Sequence, residues 1–326
     1  MKQIILFLNI LVLLSANPYS ELLDDIRINV IDTALLSLPN REKRDILKMR
    51  FEMTNTKVVF NLTDAETAYF IYKWITENIE YECSPNSEEN NESGGSVYSK
   101  GKGSSYGISD LFTIMTKYLY IESGIISGII KVLEGDKKEI IQIKDFHWNY
   151  VLINNKYYLI DVSSGAGTCV GTRFMQYQRD FYFATKPDIF IRTHFPEESK
   201  WQLLSNNITQ EQFDSILLLT NYFYSYGFTI IYPNSQIING KKEATFTLYY
   251  DKNGSIPENI VCCALYSNGE KETLILDNLD YKNEDGTIKI TVDLSDKRIS
   301  YLVIGPFYED RGTIDIISAF KINHFP

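Results

Sequence analysis

Side chains able to exchange a proton near neutral pH are scarce: the chain holds three histidines, His147, His194 and His324. A hydroxyl or thiol beside one of them could support acyl transfer. Gly103, Ser104 and Ser105 stand at the start of a helical pattern, where backbone N–H groups are free. Four cysteines, Cys83, Cys169, Cys262 and Cys263, permit disulfides in an oxidising compartment. Cys262 and Cys263 are neighbours in a strand-like run, so they point to opposite faces and read as buried thiols. No C-x-x-C pair or His/Cys cluster has metal-ligand spacing, so neither a metal nor another cofactor is expected. N-x-S/T sequons at Asn61, Asn91, Asn207 and Asn253 are candidate glycosylation sites in a secreted chain.

Three segments carry a family resemblance. The first is Gly103-Ser104-Ser105-Tyr106-Gly107-Ile108-Ser109-Asp110-Leu111-Phe112. The second is Phe146-His147-Trp148-Asn149, followed by Tyr157-Tyr158-Leu159-Ile160-Asp161 and Gly165-Ala166-Gly167. The third is His194-Phe195-Pro196 with Trp201-Gln202-Leu203-Leu204. In this order and spacing they resemble the transglutaminase-like superfamily, in its kyphoscoliosis peptidase-like branch. The matching patterns there are Gly-x-Cys-x-Gly-Tyr-x-x-Leu-Phe, then His-Ala-Trp-Asn with Trp-Tyr-Leu-Val-Asp, then His-Phe-Pro with Trp-Gln-Leu-Leu. Asp64 to Ile79 looks like the helix before that family's core. The resemblance covers roughly residues 60–205 and implies a papain-like α+β core that binds or acts on protein chains.

The departures decide the functional expectation. An active member uses a Cys thiolate, a His that moves the proton and an Asp that orients the His. Ser105 stands at the Cys position, and its hydroxyl needs far stronger activation than a thiol. The family's Asp follows the Trp by thirteen positions, and Trp148 to Asp161 keeps that spacing (161 − 148). The triad His therefore maps onto Phe146, which cannot handle a proton. His147 is one residue away, on the other face of a strand. Asp161 alone survives of the triad, and no catalytic residue is expected. Asp161 should need hydrogen-bond donors where it is buried, and Phe146 is expected to fill the place of the His. His194 reads as a structural residue of the domain junction. In the papain-like core that the resemblance implies, Cys83 and Cys169 could both lie near the cleft, which makes them the disulfide candidate.

The elements that must position these residues follow from periodicity. Apolar spacing predicts a helix over 21–37. Thr63-Asp64-Ala65-Glu66 is a capping box opening a second helix that ends near Glu80. Residues 84–103 are rich in Ser, Asn, Gly and charge and read as a mobile loop bordering the ancestral groove. Tyr106 to Glu122 form the next helix. Strands are expected over 125–133, 139–143, 145–153 and 157–162, with Asn154-Asn155-Lys156 as a hairpin turn. A helix is expected over 210–222. Beyond Tyr226 the pattern is strand-like, with turns at Asn239-Gly240, Asn253-Gly254, Asn268-Gly269 and Asp285-Gly286, which suggests an all-β, immunoglobulin-like sandwich.

The expected organisation is a signal peptide over 1–16, an N-terminal helical segment over 17–55, and a transglutaminase-like domain over 56–205. A connecting helix over 206–224 and a β-sandwich domain over 225–326 complete it. Lys2, the apolar run Ile4–Leu14 and small Ser15 and Ala16 carry the signal-peptide reading, so secretion is expected, with no membrane span after cleavage. The net charge of −10 argues against a nucleic-acid partner. The leading functional expectation is a secreted, inactive transglutaminase/peptidase-like protein acting as a protein-binding or scaffold module. The alternative is an active hydrolase or acyltransferase that uses Ser105 with a non-standard base.

Overall fold

A computed structural model of the chain describes residues 17–38, 45–83, 92–134, 140–240, 242–251, 256–257, 259–266, 274–275, 280–284, 286–308 and 313–324. The signal-peptide stretch and the sequons at Asn91 and Asn253 lie outside these residues. Among them, no helix is long and apolar enough to cross a membrane.

The expected helix over 21–37 is broken. A short 3-10 turn at Leu23–Asp25 precedes α1, Ile28–Leu36. Arg27 makes the break: its non-helical backbone aims the guanidinium at Glu66, with Nε at 2.6 Å from Oε1 and Nη2 at 2.7 Å from Oε2. Helix α2, Ile46–Val59, was not anticipated, and it runs across the boundary expected at residue 55. Helix α3, Asp64–Asn78, opens with the Thr63/Glu66 capping box and buries ten of its residues. Strand β1, Glu80–Tyr81, then pairs in parallel with β2, Lys102–Gly103.

The segment read as a loop over 84–103 contains helix α4, Gly94–Lys100. Ser93 caps its start, and Gly101 ends it with a left-handed φ of 77°. Packing stabilises it. A Cβ on Gly94 would stand 2.3 Å from the backbone nitrogen of Leu111, so only glycine allows α4 this close to α5, Ser105–Tyr118. The Gly94 N–H donates to Asp110 Oδ2, Val97 is fully buried, and Tyr98 stacks on Trp74.

Beyond α5 the chain forms β3, Ser123–Leu133, then β4, Ile140–Ile153, then β5, Lys156–Ile160. The strands expected over 139–143 and 145–153 are one strand, because Asp145 absorbs the bend at φ 54° and the register shifts there. The β4–β5 turn runs through Asn154 and Asn155, both with positive φ, a conformation that asparagine tolerates. Next come α6, Val162–Ala166, and the hairpin of β6, Gly167–Val170, with β7, Arg173–Gln176. Strand β8, Phe183–Thr185, helix α7, Pro187–Phe190, and strand β9, His194–Pro196, follow. The central antiparallel sheet has the order β8-β5-β4-β3-β9. Helices α3 and α5 and residues Val151, Ile153 and Ile160 build the main core. Phe146, Trp148, Leu159 and Phe190 belong to a second, smaller cluster.

The helix expected over 210–222 is split into α8, Gln210–Ser215, and α9, Asn221–Ser225. Between them Leu217, Leu218 and Leu219 are buried, the Leu218 N–H donates to the Gln236 side chain, and Leu219 bridges Ser318. Tertiary burial thus holds as extended chain a run that its local pattern reads as helix.

The C-terminal strands are β10, Phe228–Tyr232; β11, Ile237–Asn239; β12, Glu243–Tyr250; β13, Ile260–Tyr266; and β14, Leu274–Ile275. They continue with β15, Asp280–Glu284; β16, Thr287–Asp293; β17, Ile299–Tyr308; β18, Thr313–Ile314; and β19, Ser318–Asn323. They form two sheets, β10-β12-β16-β15 and β11-β19-β17-β13-β14, with β18 on β17. One apolar cluster joins them, with Phe246 of β12 and Phe320 of β19 4.6 Å apart between ring centres. Lys131 ties the central sheet to the chain leading into these strands. Its buried Nζ donates to the carbonyls of Phe213 and Ile216 at the end of α8, and burial pushes its pKa down to about 8.

Arg27 holds the Glu66 carboxyl at about 2, below the usual carboxylate range. A depressed carboxylate stabilises the fold above its unfolded pKa, and that contribution disappears as pH falls through the folded value. Unfolding titrated from pH 5 to pH 2 should therefore lose stability less steeply in Glu66→Gln than in the parent chain, and the parent should be the more stable at pH 7.

Candidate functional site

Helix α5 presents Ser105 at its first turn, where the Ser104 hydroxyl accepts the Gly107 N–H and caps the helix. A Cβ on Gly103 or Gly107 would come within 2.4 and 2.5 Å of Val97 Cγ2, so α4 lies over the turn that carries Ser105. Ser105 is 6% exposed. Among the described residues, its hydroxyl has one hydrogen-bond partner, the backbone N–H of His147 at 3.2 Å. Among the described residues, no histidine ring nitrogen bonds to it.

Phe146 and Trp148 share one face of β4, and Phe146 is 4% exposed. The Phe146 ring packs with that cluster, 6.1 Å from the ring of Tyr81. His147 and Asn149 occupy the other face, and α5 lies against that face. The His147 ring stands edge-on to Tyr106 at 5.2 Å, and Asn149 Nδ2 donates to the Ser109 carbonyl. Parity therefore separates Phe146 from His147, but it turns His147 toward the helix of Ser105 rather than away from it. The His147 Nδ1 is buried without a partner, and burial lowers the pKa of the ring.

Asp161 is fully buried at the end of β5. Its Oδ1 accepts the Ser164 N–H at 2.9 Å and caps α6. Its Oδ2 meets His194 Nε2 at 2.9 Å. A carboxylate only accepts, so Nε2 carries the proton. His194 Nδ1 is hydrogen-bonded to the Thr193 hydroxyl at 2.8 Å. Both ring nitrogens are engaged, the ring is 2% exposed, and it lies between Phe190, stacked at 3.9 Å, and the edge of Trp148 at 5.2 Å. His194 thus bonds the Asp and leaves nothing to offer Ser105. Sequence spacing did not reveal this pair, because the two residues are 33 positions apart and β9 reaches the sheet by its β3 edge.

Among the described residues, no chain of direct hydrogen bonds links the Ser105 hydroxyl to the Asp161 carboxylate. Cys83 and Cys169 are joined in a disulfide that fastens the end of β1 to the β6–β7 hairpin. It closes a separation of 86 residues, worth roughly 4 kcal/mol in the chain-entropy account. Asn61 and Asn207 are exposed. The hydroxyl residues of their sequons, Thr63 and Thr209, are the N-caps of α3 and α8.

Two substitutions probe the burial. Phe146→Ala should cost about 3–5 kcal/mol in chemical unfolding, the range for a buried phenylalanine. His194→Leu leaves the Asp161 carboxylate with one fewer donor and should cost a similar amount, about 3–5 kcal/mol. In an Asp161→Asn background the same His194→Leu change should cost clearly less, as a double-mutant cycle would measure.

Comparison with known proteins agrees with this geometry. Residues 53–162 match the transglutaminase-like superfamily. Human kyphoscoliosis peptidase (Homo sapiens) is 27% identical over 191 residues, 56% of this chain and 29% of that protein. The Mus musculus kyphoscoliosis peptidase is 27% identical over 194 residues, 57% of this chain and 29% of its own. The Caenorhabditis elegans LIM and transglutaminase domain protein ltd-1 is 25% identical over 210 residues, 59% of this chain and 27% of that protein. The chain spans less than a third of the length of these relatives. The matched segment holds Ser105, Phe146 and Asp161, and this chain therefore carries a domain of the transglutaminase-like superfamily, of the kyphoscoliosis peptidase-like branch.

Proposed function

We propose that the protein is a secreted, catalytically inactive transglutaminase-like protein that works as a protein-binding or scaffold module. The observation that carries this reading is the bonding of Ser105. Its buried hydroxyl accepts a backbone N–H, Phe146 stands where the proton carrier would be, and both nitrogens of His194 are engaged elsewhere. Removing the general base alone costs an acyl-transfer enzyme several orders of magnitude in rate. Secretion is supported by the apolar Ile4–Leu14 run and by the Cys83–Cys169 disulfide, a bond that persists in oxidising compartments. The two C-terminal sheets over one shared core support an immunoglobulin-like sandwich as the second module.

One observation favours the active alternative. The His147 Nδ1 is buried and unpartnered among the described residues, on the same residue whose backbone N–H meets Ser105, and its lowered pKa would keep it a neutral base. A single experiment separates the readings. Purified protein is incubated with an amine donor and a Gln-containing acceptor, and separately with casein. No turnover above a Ser105→Ala control is expected. Turnover lost in both Ser105→Ala and His147→Ala would sink the inactive reading and establish the Ser105–His147 pair.

A further inference from the structure

Helix α2 is apolar on two sides. Met49, Met53 and Thr56 are buried against the domain. On the opposite side Leu47 is 64% exposed, Phe51 63% and Val58 73%. With Thr54 they fall at spacings of four, three and four, which is the a/d seam of two heptads, written Leu47 (d), Phe51 (a), Thr54 (d) and Val58 (a). A solvated helix ordinarily shows polar residues there. From Leu47 to Val58 the seam is about 17 Å long, on a helix of 14 residues.

The flanks of the seam say what would cover it. Its e positions are Lys48 and Asn55, and its g positions are Arg50 and Lys57. No acidic residue occupies either flank; Asp45 and Glu52 lie at b positions, off the seam. Lys57 is paired with Asp64 at 3.0 Å, whereas Arg50 is exposed with its guanidinium 4.7 Å over the Tyr118 ring, which leaves its charge in place. A second copy of α2 would bring basic residues to basic residues or to Asn55, in either orientation, and gain no attractive pair. An apolar helix with Glu or Asp on its flanks would meet Lys48 and Arg50 favourably.

We propose that the Leu47–Val58 face of α2 is a docking seam for an amphipathic helix of a partner protein, with apolar a and d positions and acidic flanks. The seam stands on α2 alone and does not depend on the chemistry at Ser105. It gives the binding module a partner of defined chemistry, gripped by helix-in-groove packing and steered by charge.

The test uses the full chain with its disulfide intact and a labelled peptide of three heptads with Leu at a and d and Glu at e and g. Fluorescence anisotropy should show binding in the micromolar range, weakening as salt is raised. The same peptide with Lys at e and g should bind at least about tenfold more weakly, and Phe51→Asp should weaken the Glu peptide by at least about tenfold. Because Phe51 is exposed, its thermal unfolding should match that of the parent, which separates lost binding from lost fold. Several results would overturn the proposal. They are equal binding of the two peptides, no effect of Phe51→Asp, or no binding at all. Micromolar self-association by sedimentation that Phe51→Asp abolishes would assign the seam to a second copy instead. Binding to phosphatidylserine vesicles in place of the peptide would assign it to a membrane surface.

Discussion

A carboxylate with no exposed surface organises this domain. Water is not available to Asp161, so each of its oxygens must find a donor in the protein, and an unpaired buried charge would cost several kcal/mol. The Ser164 N–H meets one oxygen and His194 the other. Those two bonds draw together four elements: β5, which ends at Ile160, the α6 turn, α7 through Phe190 against the His194 ring, and β9. The backbone joins in, since the Asp161 N–H donates to the Tyr182 carbonyl and the Gly165 N–H to that of Asp161. In an active relative an Asp at this position orients a proton carrier; here it holds an edge strand in place.

The Asp161 bonds can hold this architecture together without a nucleophile engaged beside them. A triad needs an open path and a histidine with one nitrogen free for the nucleophile. Phe146 and Trp148 make the even face of β4 continuous apolar packing. Gly128 makes room for that tryptophan: a Cβ there would stand 2.5 Å from the Trp148 ring and 2.3 Å from the Phe195 carbonyl, so the glycine also lets β9 pair closely with β3. That apolar face lies away from α5, so Phe146 does not stand beside Ser105 as expected; its ring packs with Trp148, Leu159 and Phe190.

Much of the frame was legible in sequence because its signals are local. The Thr63/Glu66 capping box, the Asn154-Asn155 turn and the apolar stripe of α5 each depend on residues within a few positions of one another. The failures share one physical cause, which is tertiary contact overriding local pattern. Helix α2 was invisible because half of its apolar residues face outward and blur its period. Helix α4 was hidden in a Gly- and Ser-rich stretch whose helix exists because Gly94 and Val97 fit against α5. The run Leu217–Leu219 is extended because the Gln236 side chain and β19 claim its backbone.

The placement of His147 shows where a parity argument stops. Alternation along a strand fixes which residues share a face, and it grouped Phe146 with Trp148. It says nothing about which face receives the neighbouring helix. That depends on the connection from α5 into β3, whose residue Gly124 bonds through its carbonyl to Asn149 on the α5 side of β4. Once α5 lies there, the Ser105 hydroxyl meets the main chain of the very strand that would have supplied its base. The interaction is an N–H donated to a hydroxyl oxygen, so it fixes the serine against the main chain and supplies no acceptor for the hydroxyl proton. Bonding geometry therefore bears on this site as much as residue identity does, because the side chains of Asp161 and His194 are bonded to each other and not to Ser105.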